Sequence, residues 1–303
     1  MIYTLTLNPS LDYIMELQQV TLGELNRSQT EAKFPGGKGI NVSQVLNTMD
    51  VDTRALGFIG GRTGDFIEEF LHSCQIRTDF VRIDEDTRIN VKLKSGKETE
   101  INASGPIITD SEFELLKNKI NALNDEDILV LAGSIPSSLS ESTYEDLVKI
   151  CQKNGTQFVV DAEGDCLSKV LSFQPFLIKP NHHELGALFD TDILTNDDAI
   201  HYGKKLIEMG AQHVIVSLAG AGAVLICQNT SLIATAPKGE VRGSVGAGDS
   251  MVAGFIAVYQ QTKSLETAFR YSVAAGSATA FSVGLCTKEK VEELVPQVDV
   301  KNS

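Results

Sequence analysis

From about residue 128 onward, short runs of β-branched and other apolar residues alternate with stretches in which apolar positions recur every three or four residues. Residues 128–131, 158–160 and 176–178 are continuous apolar runs and 213–218 is mostly apolar, the pattern of strands buried on both faces. Between and beside them, 141–152, 165–171, 183–189 and 197–209 carry helical spacing, so the alternation predicts βαβ units and a mostly parallel sheet. Residues 223–227 and 232–236 predict a hairpin around Gln228-Asn229-Thr230, and the end of the chain is expected to be helical. Residues 1–9 read as a first strand that stops at Asn8-Pro9.

Two early segments, 11–35 and 87–104, leave this rhythm. Their alternation of polar and apolar residues predicts exposed antiparallel strands. The simplest way to join two such insertions is one small sheet, a lid over the carboxyl edge of the main sheet, where ligands of open α/β folds bind. At 303 residues with 42% hydrophobic content, the chain fits one large α/β domain over 1–303.

Charge narrows the functions. With 26 Lys+Arg against 40 Asp+Glu, the net charge of −14 argues against nucleic acid and anionic membranes as partners, because both need a basic surface. An anionic small molecule would need a local basic pocket. The five cysteines are scattered and form no Cys-x-x-Cys, so neither a disulfide framework nor a zinc site is expected. There is no signal-peptide pattern and no stretch of membrane-span length, and the expected location is cytoplasmic.

Candidate chemistry concentrates in glycine-rich turns that lead into apolar helices. In Val245-Gly246-Ala247-Gly248-Asp249-Ser250, followed by an apolar run, the amides of Gly246, Ala247 and Gly248 would face an anion at a helix N-terminus. Asp249 is out of place in a simple anion site and makes sense as a base that takes a proton from a substrate hydroxyl. The same residues also fit a plain helix cap. Gly36-Gly37-Lys38-Gly39-Ile40-Asn41 is a second such turn, with Lys38 as a mobile charge and Asn41 able to give and accept hydrogen bonds to sugar hydroxyls. It does not match a Walker loop.

Asp12, at the exit of the first strand, could hold vicinal hydroxyls, and Arg27, Arg88 and Lys92 in the off-pattern segments could grip a fixed phosphate. In Lys179-Pro180-Asn181-His182-His183-Glu184, Lys179 at a strand exit would reach nucleotide phosphates. Asn181 and Glu184 would hold the water shell of Mg²⁺, a spacing that fits a capping box equally well. His182-His183 lacks the spacing of a zinc site. The small-residue turn from Ser217 through Gly220 and Gly222 would let a nucleotide lie on backbone, and Gly276-Ser277-Ala278 leaves room for a flat base, or for tight helix packing.

Taken in order, Thr6-Leu7-Asn8-Pro9-Ser10-Leu11-Asp12, Gly36-Gly37-Lys38-Gly39-Ile40-Asn41-Val42, Gly133-Ser134-Ile135-Pro136, Lys179-Pro180-Asn181-x-x-Glu184 and Gly246-Ala247-Gly248-Asp249-Ser250 resemble the successive signatures of the ribokinase/phosphofructokinase-B family of carbohydrate kinases. Lys38, the stretch Thr87-Arg88-Ile89-Asn90-Val91-Lys92 and the stretch Thr99 to Pro106 resemble its bacterial 1-phosphofructokinase branch, with tagatose-6-phosphate kinases as near neighbours. The resemblance implies a ribokinase-like three-layer α/β fold, with a mostly parallel central sheet and a small antiparallel β lid. It also implies ATP and Mg²⁺ as cofactors, a sugar phosphate as substrate and a homodimer joined through the lid.

By the same resemblance, Asp249 is the base and Gly246, Ala247 and Gly248 form the anion hole. Asp12, Gly37, Lys38, Asn41 and Asn90 lie on the sugar, and Arg27 and Arg88 on its existing phosphate. Lys179, Asn181 and Glu184 serve ATP and Mg²⁺, with Ser217, Gly220, Gly222 and Ser277 around the nucleotide. The implied reaction converts fructose 1-phosphate to fructose 1,6-bisphosphate; tagatose 6-phosphate as substrate and a non-catalytic sugar-phosphate sensor are the alternatives. One departure stands out: Ala219 occupies a position where the family usually has Gly.

Overall fold

The computed structural model describes residues 1–162 and 164–303. The first third of the chain comprises β1 (Ile2–Thr6), β2 (Ser10–Glu16), β3 (Thr30–Gly36), α1 (Lys38–Thr48), β4 (Thr53–Gly60), α2 (Gly61–Ser73), β5 (Arg77–Thr78), β6 (Val81–Ile83), β7 (Arg88–Ser95) and β8 (Lys97–Asn102). The middle comprises α3 (Asp110–Asn121), β9 (Ile128–Ala132), α4 (Thr143–Asn154), β10 (Gln157–Asp161), α5 (Asp165–Val170), β11 (Leu177–Ile178), α6 (His182–Phe189), α7 (Asn196–Glu208) and β12 (His213–Ser217). Then come β13 (Ala223–Cys227), β14 (Ser231–Ala234), α8 (Ala247–Thr262), α9 (Leu265–Ala280), α10 (Lys288–Leu294) and β15 (Val300–Asn302).

The main sheet has the order β15-β14-β13-β12-β11-β10-β9-β1-β4-β5, with β6 also on β4. Pairing is parallel from β12 to β5 and antiparallel from β12 to β15. Strands such as β9, Ile-Leu-Val-Leu-Ala, are buried at every position because helices cover both faces. One face packs Val42, Val45 and Leu46 of α1 with the apolar sides of α8, α9 and α10. The other packs Leu116 and Ile120 of α3, Tyr144, Leu147 and Val148 of α4 and the inner residues of α5 to α7. The result is the three-layer α/β arrangement expected from the alternating pattern.

Two features go beyond that pattern. The chain ends in a strand rather than in helix: Val300 to Asn302 pairs with β14, whose free edge offers the partner. The two off-pattern segments form one four-stranded sheet in the order β3-β2-β7-β8. Its outer pairs are antiparallel, while β2 and β7 run parallel because both chains leave the main sheet in the same direction.

Candidate active site

The carboxyl ends of β1, β9, β10 and β11 open into a cavity of about 930 Å³, large enough for a ligand of metabolite size. Two helices aim their N-termini into it. Gly37 caps α1 with φ +120° and Gly246 caps α8 with φ +79°, and neither helix end has a side-chain cap. Of the other helices, α3, α6 and α7 have complete capping boxes, while α2, α4 and α5 also lack a side-chain cap. Open amides at two helix ends give the cavity a positive backbone field suited to phosphate oxygens. Gly37 is required for close packing as well as for its dihedral, since a Cβ there would lie 2.5 Å from Thr6 Cγ2.

The α8 turn differs in one detail from the expected anion hole. The Ala247 amide closes a turn onto the Ser244 carbonyl at 3.2 Å, which removes it from the set facing a ligand. Among the described residues, the amides of Gly246, Gly248 and Asp249 make no hydrogen bond within the protein, so Asp249 takes the place of Ala247 in the open set.

Asp249, in the first turn of α8, is 5% exposed and accepts a 2.8 Å hydrogen bond from Asn41 Nδ2, which ties α8 to α1. Burial, and next the charge of Asp161, push its carboxyl up to about 7, while the Asn41 bond and the charges of Lys38 and Lys179 pull the other way. A carboxylate with its proton affinity near neutrality is suited to general-base work.

Lys179 follows β11 and is 5% exposed. Asn181 and Glu184 form the capping box of α6, with Asn181 Oδ1 accepting from the Glu184 amide at 2.9 Å and Glu184 Oε2 from the Asn181 amide at 2.7 Å. That leaves Glu184 Oε1 for the cavity, and burial raises this carboxyl. Among the described residues no three His, Cys, Asp or Glu side chains group as a metal cage. The carboxylate oxygen that Glu184 turns to the cavity is a donor of the type Mg²⁺ prefers.

At the other end, strand register sets Asp12 of β2 opposite Asn90 of β7 and Asn90 opposite Asn102 of β8. Asp12 Oδ1 accepts from Ser10 Oγ at 2.6 Å and from Asn90 Nδ2 at 3.3 Å, and Lys92 Nζ lies 3.5 Å from Asp12 Oδ2. The guanidinium of Arg88 lines the cavity while donating to the carbonyls of Asn8 at 2.9 Å and Ala103 at 2.8 Å. Arg88 thus joins the first-strand exit to the end of β8 and has only part of its donor set left for a ligand.

Asp12, Gly37, Lys38, Asn41, Arg88, Asn90, Lys179, Asn181, Glu184, Gly246, Gly248 and Asp249 all line the one cavity. Arg27 does not: it is exposed in the segment between β2 and β3. Ser217, Gly220, Gly222 and Ser277 also lie outside its lining. Ser217 is nevertheless next to the site, bridged through its backbone to Asn181. Gly222 has a packing reason to be glycine, since a Cβ would sit 2.0 Å from the Ala234 carbonyl oxygen at φ +105°. Ala219 adopts φ +50°, a left-handed conformation that strains any residue with a Cβ.

Asp161 was not singled out from sequence. It is 2% exposed at the end of β10 and faces the cavity. The available signal was position: a carboxylate directly after Phe158-Val159-Val160 sits where a parallel strand delivers residues to the ligand edge.

The chain is similar to known proteins along almost its whole length. The model of the pfkB family of carbohydrate kinases matches residues 5–292. The chain is 52% identical over 300 residues to a 1-phosphofructokinase of Bacillus subtilis, covering 99% of each chain. It is 35% identical over 312 residues to a tagatose-6-phosphate kinase of Staphylococcus epidermidis, covering 99% of each. Its fold superposes with a TM-score of 0.93 on phosphofructokinase-2 from Escherichia coli in complex with substrates and products, at 29% identity and 98% coverage of both chains.

Proposed function

The chain belongs to the pfkB family of carbohydrate kinases, and we propose that it transfers the terminal phosphoryl group of ATP to the C6 hydroxyl of D-fructose 1-phosphate, giving fructose 1,6-bisphosphate and ADP. The observation that carries this reading is Asp249: a buried carboxylate with raised proton affinity, in the first turn of a helix whose open amides face the same cavity. An acceptor hydroxyl beside Asp249 gives its proton to the carboxylate as its oxygen bonds to phosphorus, and the bond to the ADP oxygen breaks. The Gly246 and Gly248 amides and the Lys179 ammonium take up the charge on the migrating phosphoryl oxygens.

Asp12, Gly37, Lys38, Asn41 and Asn90 hold the sugar, and Arg88 lies where the standing phosphate would sit. Asn181 and Glu184 hold the water shell of Mg²⁺, which when bound neutralises the nucleotide phosphates. Tagatose 6-phosphate is the second reading, supported by the Staphylococcus relative.

A second copy of the chain would pack on the small sheet. Ile89 and Ile101, 46% and 58% exposed, lie on the face opposite the one that carries Asn90. That arrangement is also the route by which Arg27 would reach a site other than its own cavity. Free cysteines and an ATP-dependent reaction fit a cytoplasmic location.

The test is Asp249→Ala. Turnover is expected to fall on the order of 10³-fold while ATP still binds. Wild-type turnover in this variant would refute the assignment.

A further inference from the structure

Two arginines meet at the amino ends of β4 and β5, the edge of the main sheet opposite the one that opens into the cavity. Register sets Tyr3 of β1 beside Arg54 of β4, and Arg54 beside Arg77 of β5. Residues paired across parallel strands leave the same face of a sheet, so the three side chains stand in a row. The Arg54 guanidinium lies over the Tyr3 ring, 5.9 Å from its centroid, which holds it in place without neutralising it. Its Nε is buried without a hydrogen-bond partner, and among the described residues no hydrogen bond or ion pair reaches any other atom of this side chain.

Arg54 and Arg77 line a shallow pocket of about 490 Å³ together with His72, Gln75, Ile76 and Thr78. The Thr78 hydroxyl donates to Glu68 Oε1 at 2.9 Å and lies 2.8 Å from His72 Nε2, so these polar groups are spent on one another. Asp52 Oδ2 lies 3.8 Å from Arg77 Nη2, with both side chains more than half exposed, a pair worth little in water. Two neighbouring like charges repel unless an anion lies between them. A chain with a net charge of −14 has no general use for such a pair, whereas two guanidinium groups side by side match the oxygens of a phosphate.

We propose that this pocket is a second anion site, taking a small phosphate-bearing molecule between Arg54 and Arg77. It is independent of the chemistry at the carboxyl edge, since no residue is common to the two linings. An occupant joins β4 to the edge strand β5 and relieves the repulsion between the arginines. It therefore stabilises the fold without competing for the sugar phosphate or the nucleotide.

The experiment compares wild type, Arg54→Gln and Arg77→Gln in thermal melts with inorganic phosphate, ionic strength being held constant with chloride. All three proteins keep the main cavity, so any phosphate bound there contributes equally, and the difference between them isolates the pocket. At about tenfold above half-saturation, phosphate is expected to raise the wild-type Tm by about 2–4 °C more than that of either variant. Equilibrium dialysis with labelled phosphate is expected to show one fewer bound phosphate per chain in Arg54→Gln. In phosphate-free buffer Arg54→Gln is expected to melt no lower than wild type, because it removes one of two repelling charges. Glycerol 2-phosphate serves as a second probe: a larger shift than with phosphate assigns a phosphomonoester to the site, and an equal or smaller one assigns free phosphate. Equal phosphate responses in all three proteins, or equal bound counts, would overturn the proposal. So would a lower Tm of Arg54→Gln without phosphate and an unchanged phosphate response, which would leave Arg54 only a packing role on Tyr3.

Discussion

Asp249→Asn is expected to make the protein more stable at the same time as it stops turnover. In the fold the carboxyl is pushed up to about 7 from an ordinary value of 3.8, chiefly by burial. Between those values the native state holds this proton more tightly than the unfolded chain does. Linkage then requires stability to fall as pH rises from about 4 to about 7, and to stay lowered above that. Each pH unit in that window is worth about 1.4 kcal/mol, so ionised Asp249 costs the fold about 2–4 kcal/mol at pH 8, part of it shared with Asp161. Asn has the same shape, and its amide oxygen can still accept from Asn41 Nδ2, so the variant removes the charge and keeps the 2.8 Å contact. At the unfolding entropy typical of a chain this long, the gain corresponds to a rise in Tm of about 3–6 °C at pH 8. Thermal melts of both proteins from pH 4.5 to pH 8 provide the assay. The gain is expected to shrink steadily toward the acidic end, where the native carboxyl takes up its proton and no longer buries a charge. Equal Tm values at pH 8, or a difference that does not change with pH, would refute the reasoning.

Asn41→Ala removes a bond that favours ionised Asp249, so the acidic limb of kcat/KM is expected to move to higher pH; an unmoved limb in a pH–rate profile would show that the bond does not tune the base. Ala219→Gly relieves the φ of +50° and is expected to stabilise by about 0.5–1 kcal/mol in urea unfolding, the left-handed penalty less the extra entropy of glycine. Gly222→Ala is expected to destabilise by about 2–4 kcal/mol in the absence of nucleotide, because the new Cβ meets the Ala234 carbonyl at 2.0 Å; unchanged stability with weaker ATP binding would give Gly222 a ligand role instead.

Much of this architecture could be read along the chain because each apolar run has one job. Runs such as Leu129 to Leu131 are too short for helices and too apolar for exposed strands, and they became buried parallel strands. The segments around Asp12 and Asn90 alternate because one face meets the cavity and the other does not, and they became the small sheet. Strand β15 was hidden because its pairing depends on the edge of β14, nearly seventy residues earlier, which no local pattern announces.

The site was legible where glycines precede apolar helices, as at Gly37 and Gly246. It was hidden where a role depends on what several elements bring to one point. Asp161 in sequence is one acid after a strand, and only the fold brings Lys38 and Lys179 within ion-pair distance of it. Ala247 fails for the opposite reason: its amide is in the expected place, and the turn onto Ser244 uses it. Gly222 was read as a nucleotide contact, whereas its backbone angle and the close Ala234 carbonyl already explain the glycine.

ADP release from Mg-ATP, measured with fructose 1-phosphate, fructose 6-phosphate, tagatose 1-phosphate and tagatose 6-phosphate offered separately, tests the central claim most directly. The highest kcat/KM is expected for fructose 1-phosphate, with loss of that turnover in Asp249→Ala. Comparable or greater kcat/KM for a tagatose phosphate would contradict the assigned substrate, and no ADP above background with any of the four would contradict the kinase assignment itself.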